Sequence, residues 1–283
     1  MPGGKLVDWL YKTGAFKVCP EGKPFWYTSG TIGPYYVNTH FLYGSERKAL
    51  ELLEKIDAVK ADKLGCHGSL LPIVENNYDS DEIYKGVIDS MLEFIKNNVD
   101  LDSVGYISGG ERRDWFFSLI VASKLKKPHI TIFKDLDAVI TEDGETYHAD
   151  SICGARVMHI TDLVTEASSF ERAWIPAIQN ICGQLAYSVA VVDRLQGGKE
   201  ILERYNISSF TMVCIDREFF GKALERGLIN KGQYEMLLDY ARDPRKSMKK
   251  FLEEHPEFLE NSLCGDAKTR ERAKLCISKG IYE

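Results

Sequence analysis

The sequence lacks the features that mark membrane, secreted and metal-binding proteins. The 283-residue chain has no apolar run long enough to span a bilayer, and its first residues, MPGGKLVDW, contain no apolar signal-peptide segment. Its seven cysteines are odd in number and form no CxxC pair, and its six histidines show no metal-ligand spacing. A formal charge of −6 argues against general nucleic-acid binding, which requires a basic surface. We therefore expect a soluble, cytoplasmic protein with no disulfide framework, no resident metal, no membrane contact and no nucleic-acid partner.

Internal repeats and low-complexity segments are also absent, and short apolar runs alternate with helical patterns over most of the chain. The predicted strands cover 16–18, 25–27, 34–37, 104–107, 129–133, 156–160 and 185–192. The predicted helices cover 5–12, 46–59, 81–97, 114–126 and 169–181, and a polar, hairpin-like stretch lies between 133 and 151. Because apolar strands that alternate with helices form a parallel sheet covered on both faces, the pattern predicts an α/β fold. From Glu218 onward the pattern is helical, with breaks at Pro244 and Pro256.

One segment carries most of the functional information. A strand-like run at 157–160 leads into Thr161 and Asp162, and a turn of small or hydroxylic residues at 165–169 then opens a helical pattern. Backbone N–H groups in such a turn, together with a helix N-terminus, favour an anion, and the hydroxyl groups add donors. The carboxylate of Asp162 is suited to accept hydrogen bonds from sugar hydroxyls, so the segment predicts a ribose-5-phosphate site. The alternative is an ordinary strand-to-helix connection capped by Ser and Thr.

This segment resembles the phosphoribosyl-pyrophosphate (PRPP) motif of type I phosphoribosyltransferases, and three further stretches resemble the orotate enzymes of that family. These stretches are TSGTIGPYYVN at 28–38, VGYISGGERRDWFFS at 104–118 and LAYSVAVVDRLQGG at 185–198. The resemblance covers about 5–215 and implies the type I phosphoribosyltransferase fold, a mostly parallel twisted sheet flanked by helices. It further implies a domain at 1–215, with a small N-terminal hood at about 5–45, and a helical C-terminal extension at 216–283.

The resemblance also implies roles for individual residues. PRPP and its phosphate groups would be bound by Thr161, Asp162, Thr165, Glu166, Ala167, Ser168, Ser169, Arg112 and Arg113. The implied catalytic residues are Asp162, Lys134 and Arg113, and the implied base-binding residues are Tyr35, Tyr36, Thr165 and Arg194. An arginine at a strand tip, such as Arg194, can bind a planar carboxylate through two parallel hydrogen bonds. The family further implies Mg²⁺ bound together with PRPP, a nucleobase or nucleotide as the second ligand, and a homodimer.

The binding segments depart from the family pattern at several positions. Thr161 stands where the motif has the first of two acids, and Ala167 stands where it has glycine. Alanine tolerates a left-handed turn less well than glycine does. Thr28 and Thr31 replace a lysine and an arginine that would hold an acidic pyrimidine in the family. The resemblance therefore predicts the fold more firmly than it predicts the acceptor base.

The catalytic segment departs further. Asp137 and Val139 stand where the family's mobile loop has a lysine and a histidine, and only Lys134 keeps its cationic character. Loss of such cations lowers the electrostatic stabilisation of a leaving pyrophosphate. The leading hypothesis is a divergent enzyme that transfers ribose 5-phosphate from PRPP to a pyrimidine or related base and releases pyrophosphate. Two alternatives stay open: a PRPP- or nucleotide-binding regulatory protein with weak or no turnover, and an interaction scaffold that uses the helical tail.

Overall fold

The computed structural model describes residues 3–148 and 150–282, and the elements below belong to this part of the chain. The helices are α1 Gly3–Lys12, α2 Glu46–Val59, α3 Lys63–Ser80, α4 Glu82–Asn98, α5 Trp115–Leu125, α6 Ile175–Asn180, α7 Gly198–Arg204, α8 Arg217–Glu225, α9 Lys231–Arg242, α10 Pro244–Glu254, α11 Glu257–Leu263 and α12 Ala267–Ser278. The strands are β1 Phe16–Val18, β2 Phe25–Trp26, β3 Ile32–Gly33, β4 Tyr35–Val37, β5 Tyr106–Gly110, β6 His129–Ile132, β7 Ala138–Glu142, β8 Glu145–His148, β9 Arg156–Val164, β10 Gln184–Asp193 and β11 Ser208–Cys214. Single helical turns occur at Thr39–Tyr43, Leu101–Ser103 and Phe170–Trp174. None of the described helices is long and apolar enough to cross a membrane.

The chain divides into two compact units, each assembled from two separate segments. The first unit contains the chain up to Ala15 together with Thr39–Ile215, and the second contains Phe16–Asn38 together with the chain from Asp216 onward. The sequence-based division at 215 and 216 coincides with the start of the second unit's C-terminal segment. It differs in assigning 16–38 to the first domain, because the sequence alone does not show that the C-terminal helices cover the aromatic residues of this segment.

The first unit is organised around a seven-stranded sheet in the described residues, with the order β11-β10-β9-β5-β6-β7-β8. The strands from β11 to β6 pair in parallel, for example Ile160 with Val189 and Ile107 with Met158. Strand β7 pairs antiparallel with both β6 and β8, and β7 and β8 form the hairpin that the polar stretch predicted. The predicted α/β fold with a mostly parallel sheet is therefore confirmed.

The apolar composition of the central elements explains why helices cover both faces of this sheet. Strands β9 and β10 are buried along nearly their whole length, as expected for parallel strands with two covered faces. In α5 every residue from Trp115 to Ala122 is buried, so this helix is apolar all round. Ile130, Val157 and Ile178, from two strands and from α6, belong to one continuous core cluster. The sheet is thus held by side chains that its own strands and flanking helices supply.

Strand β9 is longer than predicted. The sequence predicted an end at Ile160, whereas the strand continues through Thr161 and Asp162 to Val164. Its pairing with β10 continues as far as Val164 opposite Asp193. The polar residues do not end the strand because the hydroxyl of Thr161 and the backbone N–H of Asp162 find a buried acceptor in Asp114.

Helix α3 was missed by the sequence prediction, which placed no helix between 59 and 81. The helix contains Gly65, Gly68 and Pro72, and all three residues weaken a helical pattern. Pro72 has no N–H for the carbonyl group four residues earlier, on Gly68. The helix forms because His67, Leu70 and Val74 are buried on one side of it, and this tertiary packing outweighs the poor local propensity.

The second unit combines the C-terminal helices α8–α12 with two short antiparallel strand pairs, β1 with β4 and β2 with β3. The predicted helical tail is confirmed, and so are its breaks. Pro244 is the first residue of α10, and Pro256 directly precedes α11. Proline is tolerated at a helix start, where its missing N–H has no helical partner anyway.

Candidate functional site

A cavity of about 370 Å³ lies at the carboxyl ends of β5, β6 and β9. Its walls are residues 111–114, Lys134, 161–165, 167–170 and Trp174, and all of them belong to the first unit. The carboxyl ends of parallel strands are where open α/β sheets bind ligands. The structure therefore brings three predicted segments, which are far apart in the sequence, to one place.

The first wall is the small-residue loop, defined as residues 165–169. Thr165, Ser168 and Ser169 line the cavity, and the side chain of Ser169 makes no capping hydrogen bond to the following helical turn. Ala167 adopts a left-handed conformation with φ of 51° and is buried. Glu166 is exposed and does not line the cavity, so its charge lies outside it. The loop thus presents hydroxyl groups to the cavity and keeps its one acid outside.

The space behind this loop is closed by a glycine at the start of α7. A Cβ atom added to Gly198 would lie 2.5 Å from the carbonyl oxygen of Thr165 and 3.2 Å from the backbone nitrogen of Ala167. A side chain at 198 would therefore push the loop toward the cavity. Gly198 belongs to the Gly-Gly pair in the stretch that resembles the orotate enzymes, and its role here is close backbone packing.

The second wall is the arginine loop, defined as residues 110–114. The peptide bond between Glu111 and Arg112 is cis. Arg112 forms an ion pair with Asp57 of α2 at 3.0 Å, and its Nε atom is buried without a hydrogen-bond partner. Arg113 also lines the cavity, and its charge favours the ionised form of the Asp162 carboxyl by lowering its pKa. The two guanidinium groups give this wall a positive character suited to phosphate oxygens.

A chain of ion pairs fixes the arginine loop to α2 and to the end of β6. Lys60 contacts Asp57 at 2.9 Å and Glu111 at 3.2 Å. The second carboxylate oxygen of Glu111 accepts a hydrogen bond from the backbone N–H of Lys134 at 3.2 Å. Hydrogen bonding from Lys60 holds the pKa of Asp57 below its usual range. Lys134 is thereby positioned at the mouth of the cavity, where its own side chain is exposed.

The floor of the cavity contains two carboxyl groups, Asp114 and Asp162. Asp114 accepts hydrogen bonds at Oδ1 from the Thr161 hydroxyl and from the Asp162 N–H, both at 2.9 Å. Its Oδ2 accepts from the N–H of Gly110 at 3.1 Å. Burial and the neighbouring charge of Asp114 raise the pKa of Asp162 to about 7, although Arg113 opposes this shift. Asp162 therefore titrates near neutral pH and can act as a donor or as an acceptor toward a sugar hydroxyl.

Asp137 and Val139, which stand where the family has a catalytic lysine and histidine, lie outside the cavity walls. Asp137 forms an ion pair with Lys63 of α3 at 2.9 Å and lies 3.4 Å from Nδ1 of His148, and Lys63 also binds Asp135 at 2.5 Å. Val139 is fully buried in β7. Neither Asp137 nor Val139 lines the cavity. The segment after Lys134 thus packs as part of the sheet and of its contact with α3.

The predicted base-binding residues lie outside the cavity walls, except for Thr165. Arg194 follows β10, and its backbone N–H donates to the carbonyl of Val164 at 3.0 Å, so it sits beside the end of β9. Tyr35 and Tyr36 belong to the second unit, where Tyr35 stacks on Phe16 and the hydroxyl of Tyr36 donates to the carbonyl of Trp26. Both rings are used in the packing of that unit.

Sequence reasoning missed several residues of the site. Glu111, Asp114, Phe170 and Trp174 line the cavity but were not predicted to do so. His40 also faces the arginine loop. Burial, with the charges of Arg113 and Arg112, lowers its pKa to about 3, so it stays neutral. For Asp114 a signal was present, since it ends the charged run ERRD directly before an apolar helix. The two aromatic residues gave no such signal, because they read as ordinary core positions of a helix.

No protein-family model matches the sequence, and no curated protein is significantly similar to it. Solved structures do match. The orotate phosphoribosyltransferase of Francisella tularensis matches with a TM-score of 0.55 at 15% identity, over 84% of this chain and 98% of that one. The enzyme of the same name from Aeropyrum pernix matches with a TM-score of 0.50 at 17% identity, over 79% of this chain and 99% of that one.

A Leishmania donovani UMP synthase matches with a TM-score of 0.53 at 13% identity, over 83% of this chain. The present chain spans only 41% of that longer protein. At these identities the likeness establishes the fold and leaves the activity to the chemistry of the site. The chain has the fold of the type I phosphoribosyltransferases, as its sequence motifs predicted.

Proposed function

We propose that this protein binds PRPP in the cavity of the first unit and transfers its ribose 5-phosphate to a pyrimidine or related base, with release of pyrophosphate. One observation carries the proposal: the small-residue loop, the arginine loop, Lys134 and Asp162 all line a single cavity at the carboxyl ends of the strands. That arrangement offers hydrogen-bond donors for a phosphate, a carboxyl group for a ribose and three cations for a pyrophosphate.

Each wall has a distinct task in this proposal. The hydroxyl and N–H groups of Thr165, Ser168 and Ser169 bind the 5-phosphate. Asp162 contacts the ribose hydroxyls. Arg112, Arg113 and Lys134 stabilise the negative charge that builds on pyrophosphate as its bond to the sugar breaks.

The residues present are compatible with Mg²⁺ only if the ion enters with PRPP. Among the described residues, no group of three or more His, Cys, Asp or Glu side chains is arranged to hold a metal ion. Mg²⁺ typically keeps few protein ligands and binds substrate phosphates. In the proposal the ion would enter with PRPP and would reduce the negative charge of its phosphate groups.

A second candidate is a PRPP- or nucleotide-binding regulatory protein without turnover. A specific observation favours it: Asp137 is engaged by Lys63 and Val139 is buried in β7, so neither position can supply a cation to the leaving group. Losing one such donor commonly costs about 3 kcal/mol of transition-state stabilisation. Binding and turnover are therefore tested separately.

Calorimetric titration with PRPP and Mg²⁺ tests binding. In Ser168→Glu a carboxylate replaces a hydroxyl group of the small-residue loop, so we expect PRPP affinity to fall at least about tenfold. Ser208→Glu, at an exposed position at the start of β11, introduces the same charge away from the cavity and serves as the control. Equal PRPP affinity in all three proteins would place the binding site elsewhere.

A pyrophosphate-release assay tests turnover with PRPP, Mg²⁺ and a panel of bases that includes orotate, uracil and purines. Release that depends on one base identifies the acceptor and supports the enzyme. PRPP binding without base-dependent release supports the regulatory protein. Arg194→Lys then tests the acceptor side, since a lysine cannot make two parallel hydrogen bonds to a planar carboxylate. If Arg194 binds the base, this change raises the KM for the base and leaves PRPP affinity unchanged.

A further inference from the structure

Asp114 is saturated by protein groups although it lies at the cavity floor. Three donors, from Gly110, Thr161 and Asp162, occupy its two oxygen atoms, and Nε2 of His159 lies 3.3 Å from Oδ2. A carboxylate has about four acceptor positions, so none is left for a ligand. The residue is only 5% exposed. Its role must therefore lie in the segments that its hydrogen bonds connect.

Two buried polar side chains, His159 and Ser108, form a hydrogen-bonded series that ends at Asp114. His159 is fully buried, and its Nδ1 lies 2.9 Å from the hydroxyl of Ser108, which is also fully buried. If that hydroxyl donates to Nδ1, Nε2 carries the hydrogen that faces Asp114. The His159 ring stacks on Trp174 with centroids 5.9 Å apart, and it packs against Phe170 in a T-shaped arrangement with centroids 5.0 Å apart. These contacts hold the imidazole that faces Asp114.

The donors that Asp114 binds belong to two different walls of the cavity. Gly110 begins the arginine loop, and its Cα approaches Trp174 so closely that an added Cβ would lie 2.2 Å from the indole ring. Thr161 and Asp162 belong to β9, which leads directly into the small-residue loop. One carboxylate therefore sets the spacing between the segment proposed to bind pyrophosphate and the segment proposed to bind ribose 5-phosphate.

We infer that Asp114 is a positioning residue that couples the arginine loop to β9 and fixes the place of Asp162 beside it. The ligands named in this inference rest on the proposed function, whereas the coupling itself exists in the free protein. Burial is the largest cause of the raised pKa of Asp162, and the Asp114 charge is the next. The other charged side chains around Asp162 are Arg113, which lowers its pKa, and Glu111, Arg112 and Lys134 on the cavity walls. Neutralising Asp114 should thus move the titration of Asp162 to lower pH.

The full chain without ligand tests the coupling first. Asn in place of Asp114 keeps the shape but offers one acceptor oxygen, so either Gly110 or the Thr161–Asp162 pair loses its acceptor. We expect faster amide hydrogen exchange at Gly110 or Asp162 in Asp114→Asn and, by ¹³C NMR, a lower midpoint for the Asp162 carboxyl. Asp193→Asn is the matched control, because Asp193 is equally buried, caps the N–H of Leu195 and lies outside the cavity. Unchanged exchange at both amides, or an unchanged Asp162 midpoint, would overturn the inference.

Calorimetry with pyrophosphate and with ribose 5-phosphate tests the consequence of this coupling for ligand binding in the cavity. Pyrophosphate reports on the arginine loop, and ribose 5-phosphate reports on the small-residue loop and Asp162. Asp114→Asn should weaken both probes about tenfold, Thr161→Val should weaken them less, and Asp193→Asn should leave both unchanged. Weakening of only one probe would show that Asp114 serves one wall and not their coupling. If the wild-type chain binds neither probe, the proposed function fails, and the ligand-free measurements still decide the role of Asp114.

Discussion

Ala167 occupies a backbone conformation that usually requires glycine. Its φ of 51° is in the left-handed region, which costs a non-glycine residue about 1–2 kcal/mol. The family motif has glycine at this position, so the chain accepts local strain in the loop that we propose binds phosphate. Strain of this kind persists only where the surroundings enforce it, and Ala167 is held by its burial in the core of the first unit.

The strain at Ala167 can be measured against a second buried alanine. Ala167→Gly removes a methyl group but relieves the left-handed strain, whereas Ala177→Gly removes a buried methyl group from α6 without any such relief. We expect Ala167→Gly to cost about 1 kcal/mol less in the free energy of unfolding than Ala177→Gly does. Urea denaturation of both variants and of the wild type provides the comparison. Equal losses would mean that the loop is not strained in solution.

Asp162 should make the stability of the protein depend on pH. Its pKa in the folded state is raised to about 7, well above that of an unfolded aspartate, so folding favours its protonated form. The stability linked to this proton is complete below the unfolded pKa and is lost as the pH rises through about 7. Asp162→Asn removes the titration. The free energy of unfolding of the variant, relative to that of the wild type, should therefore rise from about pH 4 to pH 7 and stay constant above pH 7. The total rise is at most about 4 kcal/mol.

Chemical denaturation at several pH values between 4 and 9 measures this difference. Asp193→Asn is a useful comparison, since burial also raises the pKa of Asp193 but the cavity is not involved. A constant difference between wild type and Asp162→Asn over the whole range would show that Asp162 is ionised throughout.

At the scale of elements, the hairpin β7–β8 takes the place of a basic catalytic loop. Val139 lies opposite Thr131 in the pairing of β7 with β6 and is fully buried. A histidine at 139 would not extend toward the cavity, and its imidazole would enter the apolar core. Asp137→Lys with Val139→His would restore the residue types that the family has at these positions, but the buried place of Val139 predicts no gain in catalysis.

Val139→His should lower the free energy of unfolding by about 2–4 kcal/mol, because the imidazole would be buried without a hydrogen-bond partner. It should not raise any pyrophosphate release. Glu145→His, at an exposed position of the neighbouring strand β8, is the control and should stay within about 0.5 kcal/mol of the wild type. Thermal and urea unfolding of both variants measure the effect. A stable Val139→His protein with faster turnover would show that the hairpin rearranges during catalysis.

At the scale of the whole molecule, the second unit is assembled from two segments that pack against each other. Phe16 contacts Phe219 with ring centroids 4.9 Å apart, and Trp26 stacks on Phe258 at 5.6 Å. The indole N–H of Trp26 also donates to Ser262 at 2.9 Å. The C-terminal helices therefore complete the core around 16–38. A protein that acts as an interaction scaffold would therefore have to bind its partner through the outer faces of these helices.

Truncation after Ile215 should destabilise the protein. It would expose Phe16, Trp26 and Tyr35 to water, and each buried aromatic side chain is worth about 1.5–3 kcal/mol. We expect a lower melting temperature and a tendency to aggregate. A protein that lacks only residues 279–283 serves as the comparison, and its melting temperature should fall less. Light scattering on the same samples also tests the homodimer that the family resemblance implies. Unchanged melting after truncation at 215 would show that the tail is an independent module.

Periodicity and local motifs in the sequence determined the α/β class, most of the strands and helices up to β10, the small-residue loop and the two proline breaks in the tail. These features depend on neighbouring residues, whose apolar spacing and turn chemistry are legible without a fold. The family resemblance, and not periodicity, assigned the three cationic side chains Arg112, Arg113 and Lys134 to one site. The structure places all three on the walls of one cavity.

Only the tertiary structure decided the features that depend on contacts between distant segments. Burial stabilises α3 despite Gly65, Gly68 and Pro72, and β9 continues past Ile160 because Asp114 accepts its polar groups. Segment 16–38 joins the C-terminal helices, and Val139 enters the sheet. In each case a buried group needs a partner or a packing surface, and the partner lies tens to hundreds of residues away, where no local pattern can indicate it.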